Sequence, residues 1–170
     1  IKQITSDTAA TVSSAITDSS SQGAQAFILD LRDVPGGYLT QAVGIASLFI
    51  PSGVVAQIET VNGISTRSAD GDSITTAPLV VITNGRTAGC AEVLVAALQE
   101  SGRAEKPQGK GSVQAMQPLS FGGAIRYTAA FYLTPSGRQI DGNGISPNVE
   151  TSNVSTQESV AFDSARSQIS

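Results

Sequence analysis

The sequence predicts a single α/β domain, a central mixed sheet flanked by helices, and three patterns carry that expectation. Residues 26–31 and 78–83 are nearly continuous apolar runs of strand length, rich in β-branched or aromatic side chains, as strands covered on both faces are. Between them Leu39, Ala42, Val43, Ala46 and Phe49 recur at helical spacing and lead to the strand-like residues 54–58, which makes a strand-helix-strand unit. Beyond residue 112, two strand-like stretches flank Gly122-Gly123, the pattern of an antiparallel hairpin. A length of 170 residues, 40% of them hydrophobic, suffices for one well-buried domain and is short for two.

Taken in order, Ile1-Lys2-Gln3-Ile4 is a short edge-strand candidate, and Ser6 or Asp7 is placed to cap a helix running to about Asp18. Gly23 ends that unit, and Pro35-Gly36-Gly37 forces a turn after the first buried strand. Pro51-Ser52-Gly53 closes the 39–49 helix. Residues 60–77, rich in Gly, Ser, Thr and Asp, form a polar connection with room for a small hairpin. A helix is expected from about Ala88 to Glu100, with Gly102 as its stop. Leu31, Val55 and Val81 are expected in one central sheet that antiparallel strands from 113 to 134 extend. Residues 1–150 form the expected core, and residues 151–170 a polar tail with one short helix, capped by Thr156 or Ser159 and facing inwards through Val160, Phe162 and Ala165.

Composition excludes several functions. Ten basic against 14 acidic side chains give a net charge of −4, and no stretch interleaves Lys or Arg with aromatics, so nucleic acid is not an expected partner. There is no histidine, which removes the usual catalytic base and the commonest metal ligand; no metal or other cofactor is expected. Cys90 is the single cysteine and has no partner for an internal disulfide. No apolar run approaches the roughly 18 residues of a membrane helix.

Three segments carry candidate chemistry. In Asp30-Leu31-Arg32-Asp33-Val34-Pro35-Gly36-Gly37 the glycines allow a tight turn, and their exposed N–H groups are also suited to receive a developing oxyanion. In Thr87-Ala88-Gly89-Cys90-Ala91-Glu92 a strand meets a helix: Thr87 is a candidate cap, and Glu92 sits in the positive first turn. Gly109-Lys110-Gly111-Ser112-Val113-Gln114 places a lysine between glycines; such a side chain acts as a base only if an apolar enclosure lowers its pKa.

These segments, with Tyr132-Leu133-Thr134-Pro135-Ser136-Gly137-Arg138-Gln139-Ile140-Asp141-Gly142-Asn143-Gly144-Ile145-Ser146-Pro147-Asn148-Val149, resemble the carboxyl-terminal processing (tail-specific) serine peptidases over residues 1–150. The family reads Asp-Leu-Arg-x-x-Pro-Gly-Gly, then small-Ala-Ser-Ala-Ser-Glu, then Gly-Lys-Gly-Ser/Thr-Val-Gln, and the resemblance implies a ClpP/crotonase-like core. It also implies Lys110 as base, Gln114 as the residue orienting it, and backbone donors at Gly36, Gly37 and Cys90 for the oxyanion. The nucleophile's position is Gly89, which has no atom that can attack. Three accounts of that glycine stand: a natural non-catalytic relative, which keeps a peptide-binding or scaffold role; an introduced substitution; or a displaced Cys90 nucleophile. Relatives place about four more residues between the Gly-Arg-Ala of 102–104 and the Glu-Lys of 105–106; either the connection is shorter here or residues are missing between Ala104 and Glu105, and the second is the expectation. The resemblance further implies unstructured protein C-termini as substrates, a PDZ-type recruiting module upstream, self-association, and a bacterial periplasmic or extracellular location, with a membrane anchor in a missing N-terminal segment as one form of it.

Overall fold

A computed structural model describes residues 1–105, 112–118, 124–146, 149 and 153–169. Its architecture is mixed α/β. β1 (Phe27–Asp30) pairs parallel with β4 (Leu79–Ile82), Phe27 opposite Leu79 and Asp30 opposite Ile82, and β4 pairs parallel with β5 (Ala104–Glu105). The second sheet is antiparallel, in the order β3 (Gly63–Ser68), β2 (Val54–Thr60), β7 (Ala124–Leu133), β6 (Ser112–Pro118).

The continuous apolar character of β1 and β4 has a direct cause, because helices cover both faces of this sheet. Leu29, Leu79 and Val81 point into the main core with α2 (Leu39–Ser47) and α3 (Cys90–Glu100). Ile28, Val80 and Ile82 point the other way, onto Ala161 and Ala165 of α4 (Gln157–Ser167). Burial of each large core side chain, Leu94 and Leu98 of α3 among them, contributes about 1.5–3 kcal/mol.

The expected single sheet through Leu31, Val55 and Val81 is divided. Val81 lies in β4, Leu31 is the first residue past β1 and donates its N–H to the Ile82 carbonyl at 2.8 Å, but Val55 belongs to the antiparallel sheet. The cause is occupancy: β2 has β3 on one edge and β7 on the other, so no edge is left for a parallel neighbour. The hairpin expected in the polar connection is β2–β3, and the strands after residue 112 build onto β2. Of the proposed hairpin turn, Gly122-Gly123 lies outside the described residues.

Helix ends follow the glycines. α1 (Thr8–Ser21) runs one turn beyond the expected Asp18 and closes at Gly23 (φ 90°), whose N–H donates to Ser20 O while Ala24 N–H donates to Ser19 O. α3 closes the same way at Gly102 (φ 73°), with Arg103 N–H on Leu98 O at 2.8 Å. The Arg103 guanidinium then donates to the carbonyls of Phe49, Thr75, Thr76 and Ala77, tying the end of α2 to the segment entering β4.

Two terminal expectations change. The first residues make one parallel bridge, Ile4 to Gly37, in place of an edge strand. α4 buries Ala161 and Ala165, one turn apart, and leaves Phe162 68% exposed, because small side chains let the helix lie close to Val80 and Ile82. Thr156 takes the N-cap position of α4, as expected, but makes no side-chain capping hydrogen bond there; the 3₁₀ turn before it (Val154–Thr156) is capped by Asn153, whose side chain accepts from Ser155 N–H at 3.0 Å.

Candidate active site

The turn between β4 and α3 puts residue 89 at the N-cap of α3, in an unusual conformation of φ 61° and ψ −129°. That geometry is nearly closed to L-residues, and where one is forced into it the cost is about 1–3 kcal/mol. The turn is held from below. Thr87 Oγ1 accepts from Asn84 N–H at 3.1 Å and donates to Leu31 O at 2.8 Å, so Thr87 fastens the turn to the end of β1 and is not the helix cap expected of it. Glu92, buried, accepts the Gly89 N–H on Oε2 at 3.1 Å, which is the carboxylate half of a capping box; glycine has no side chain to complete the other half.

Opposite lies the loop from β1. Ala88 N–H donates to Val34 O at 2.9 Å and brings Gly36 against the helix start. A Cβ at Gly36 (φ 103°) would meet Ala88 O at 3.1 Å and Cys90 N at 3.3 Å, so only glycine leaves space in front of the Cys90 N–H. At Gly37 (φ 146°) a Cβ would fall 1.9 Å from Ile4 O. Position 89 differs: an added Cβ meets nothing nearer than Pro35 O at 3.6 Å and Gly36 Cα at 3.8 Å, which is ordinary van der Waals contact. Residue 89 thus has room for a Cβ, whereas on the facing loop a Cβ is tight at Gly36 and blocked at Gly37.

Cys90 is a core residue. It is 2% exposed within the main core, and burial pushes its thiol up to about 11 despite hydrogen bonding from its own N–H and that of Gly37. Of the three expected oxyanion donors, Gly37 therefore has its N–H turned towards the sulfur, the Cys90 N–H also has its own thiol as a partner, and the Gly36 N–H has no such bond to the thiol. Tyr132 lies near enough that burial first, and a Cys90 thiolate second, drive its phenol up to about 12. Folded protein is therefore expected to react with a thiol reagent at pH 8 only as fast as it opens, with full labelling on unfolding, which a timed dithiobis-nitrobenzoate assay measures. The raised thiol pKa also fixes a sign. Its contribution to stability is complete below about pH 8.5 and is lost as the pH rises towards 11, so unfolding midpoints fall over that window and fall less in Cys90→Ala.

Lys110 lies outside the described residues, and Gln114 is placed only by its register in β6, opposite Thr128. The described structure thus brings together Gly36, Gly37, Gly89 and Cys90. It also reveals groups that sequence reasoning did not single out. Asn84 Oδ1 accepts from Arg86 N–H at 3.0 Å and from Asp33 N–H at 3.1 Å, and its Nδ2 donates to Asp33 Oδ1 at 2.8 Å, where the Arg86 Nε also donates. The Asn-Gly-Arg-Thr turn residues after a strand were the available signal for the local half of this arrangement.

Arg32 forms a second link. Its guanidinium pairs with Asp30 and, at 2.7 Å, with Glu158 on α4. Burial alone would raise the Asp30 pKa, but side-chain and backbone hydrogen bonds from Arg32 outweigh it and hold the carboxyl below its usual range. This stabilisation is present above about pH 4 and disappears as the pH falls through the folded-state value. Arg32→Ala is expected to lower stability by about 1–2 kcal/mol in urea titration, and Glu158→Ala, with its largely exposed carboxylate, by less than about 1 kcal/mol.

Comparison with known proteins decides the family. The profile of "Peptidase family S41" matches residues 1–151. The chain belongs to peptidase family S41. Among S41-type relatives it is 42% identical over 134 residues to a carboxyl-terminal-processing protease of Synechocystis sp., covering 75% of this chain and 31% of that protein. It is 38% identical over 157 residues to the carboxy-terminal processing protease CtpA of Bacillus subtilis, covering 87% of this chain and 34% of that one. The fold matches a solved photosystem II D1 C-terminal processing protease with a TM-score of 0.81 and 32% identity, over 100% of this chain and 45% of that one. This chain spans about a third of the length of these curated S41 relatives.

Proposed function

We propose that this chain is the catalytic core of a carboxyl-terminal processing endopeptidase whose nucleophile seat is residue 89, and that with glycine there it does not turn over peptide. The observation that carries the reading is the contrast at the turn. Position 89 has room for a Cβ and the backbone of a strained strand-to-helix turn, beside the N–H groups of Gly36 and Cys90. In the proposed mechanism a peptide carbonyl lies over the start of α3, with those two N–H groups and the positive helix end stabilising the oxyanion. A hydroxyl at 89 would attack after losing its proton to Lys110, which Gln114 orients; these two roles are carried over from the family motif that residues 109–114 match. The ClpP/crotonase-like description of the core belongs to the same proposal, supported by the parallel β1-β4-β5 layer that presents the turn.

We read Cys90 as a core residue, since its buried, weakly acidic thiol gives almost no thiolate at neutral pH. The second reading, a peptide-binding protein that retained the groove, is favoured by Gly89 itself. Unstructured protein C-termini are the proposed ligands in either case, and a periplasmic or extracellular site of action is proposed from the relatives' names and sources. Among the described residues no helix is long and apolar enough to cross a membrane. An upstream PDZ-type module and self-association remain part of the proposal for the whole protein. The test is a cleavage assay of the purified chain and its Cys90→Ala variant on an unstructured C-terminal peptide. No turnover by either is expected, and robust cleavage abolished by Cys90→Ala would overturn the reading.

A further inference from the structure

Asp33 is the one non-glycine residue with a positive φ among the described residues, at 61°. Asp tolerates the left-handed region better than most side chains but still needs its surroundings to hold it there. Here they do. The amide of Asn84 grips it twice, Oδ1 accepting the Asp33 N–H at 3.1 Å and Nδ2 donating to Asp33 Oδ1 at 2.8 Å. Arg86 adds its Nε to the same carboxylate oxygen, and its own N–H to Asn84 Oδ1 at 3.0 Å. Each member thus binds the other two.

The placement of this triangle gives it a consequence. Asp33 comes three residues before Gly36, and Asn84 and Arg86 come five and three residues before Gly89. The clamp therefore ties together the two loops whose separation sets how far the Gly36 N–H stands from residue 89 and from the Cys90 N–H that follows it. Next to it the loops meet through Ala88 N–H to Val34 O at 2.9 Å and Thr87 Oγ1 to Leu31 O at 2.8 Å, so the crossing is stitched at Leu31, Asp33 and Val34. The first and last of these stitches use main-chain acceptors that any sequence provides. Only the middle one depends on side chains at both ends.

We propose that Asp33, Asn84 and Arg86 are positioning residues, a side-chain clamp that fixes the Gly36 N–H, on one loop, against residue 89 and the Cys90 N–H, on the other. This rests on residue 89 being the nucleophile seat, and errors of about 1 Å in such a spacing cost up to about 10²-fold in rate. The clamp residues themselves are largely exposed, Arg86 by 78% and Asp33 by 53% of their side chains, so their loss is expected to change geometry more than global stability.

Two readouts test the clamp. In the Gly89 chain, the amide cross-peaks of Gly36 and Cys90 in a nitrogen-15 correlation spectrum are expected to move in Asp33→Ala and to return in Asp33→Asn, which keeps an acceptor for Asn84 and Arg86. Asp33→Gly, which adopts a positive φ freely but has no carboxylate, is the second variant, and it too should displace both peaks. In a Gly89→Ser background, Asp33→Ala should lower kcat about tenfold or more with KM within about twofold, and Asp33→Asn should restore most of it. Unmoved peaks in Asp33→Ala and Asp33→Gly, failure of Asp33→Asn to restore them, or an unchanged kcat in an active Gly89→Ser protein would each overturn the clamp. If Gly89→Ser does not cleave at all, the nucleophile assignment fails while the spectrum still decides whether the clamp holds the loops.

Discussion

Gly89→Ser is expected to raise cleavage of an unstructured C-terminal peptide by roughly 10³-fold or more over the Gly89 chain, the scale on which loss of a nucleophile normally lowers a serine peptidase. Space is not the obstacle, since the nearest atoms to an added Cβ are 3.6 and 3.8 Å away. The backbone is: at φ 61° and ψ −129° a serine is strained. The same substitution should therefore cost about 1–3 kcal/mol of stability, a fall in Tm of about 2–4 °C per kcal/mol in a domain of this size. Activity and stability move in opposite directions, and calorimetry beside the cleavage assay reads both. A gain of both would mean that the turn relaxes around serine and that the strained seat is not what the sequence maintains. Lys110→Ala in the Gly89→Ser background is expected to remove the gain, since no histidine is available as an alternative base.

Gly37→Ala is expected to produce the largest loss of stability of any single methyl insertion at this site, about 3 kcal/mol or more by urea unfolding. The added carbon would stand 1.9 Å from the Ile4 carbonyl oxygen and 2.8 Å from its carbon, both backbone atoms of a residue that is completely buried. Relief requires the first residues to swing away. That would break Ile4 N–H to Gly36 O and Tyr38 N–H to Ile4 O together. Gly36→Ala should be milder in stability, because its contacts at 3.1 and 3.3 Å call for shifts of only a few tenths of an ångström. It places a methyl before the Cys90 N–H, however, and is expected to lower kcat of Gly89→Ser about 10²-fold, as loss of an oxyanion donor does.

Elements were legible where local pattern and tertiary need agreed. The runs that became β1 and β4 read as buried strands because both of their faces are in fact covered, and Gly23 and Gly102 marked helix ends because both closures need a left-handed residue. The division into two sheets was not legible, since the apolar pattern of β2 records burial and not which strands occupy its edges. On α4 Ala165 faces inwards as expected but Phe162 does not: hydrophobicity favours Phe162, whereas close approach to Val80 and Ile82 favours Ala161 beside Ala165. The two loops that meet at residue 89 were legible as motifs. Their stitching was not, because Asp33 and Asn84 are 51 residues apart and each reads as an ordinary turn residue until the loops are brought together. Thr87 shows the same limit. Its hydroxyl was assigned to the adjacent helix but is used by Leu31, 56 residues away.

The most direct test of residue 89 as the nucleophile seat is intact-protein and peptide mass spectrometry after exposure of the Gly89 and Gly89→Ser chains to a fluorophosphonate, a reagent that marks activated serines. One adduct per Gly89→Ser chain, mapped to residue 89 and lost with Lys110→Ala, is the predicted result, with none on the Gly89 chain despite its other serines. A folded Gly89→Ser protein that stays unmodified, or an adduct on a different serine present in both chains, would contradict the assignment.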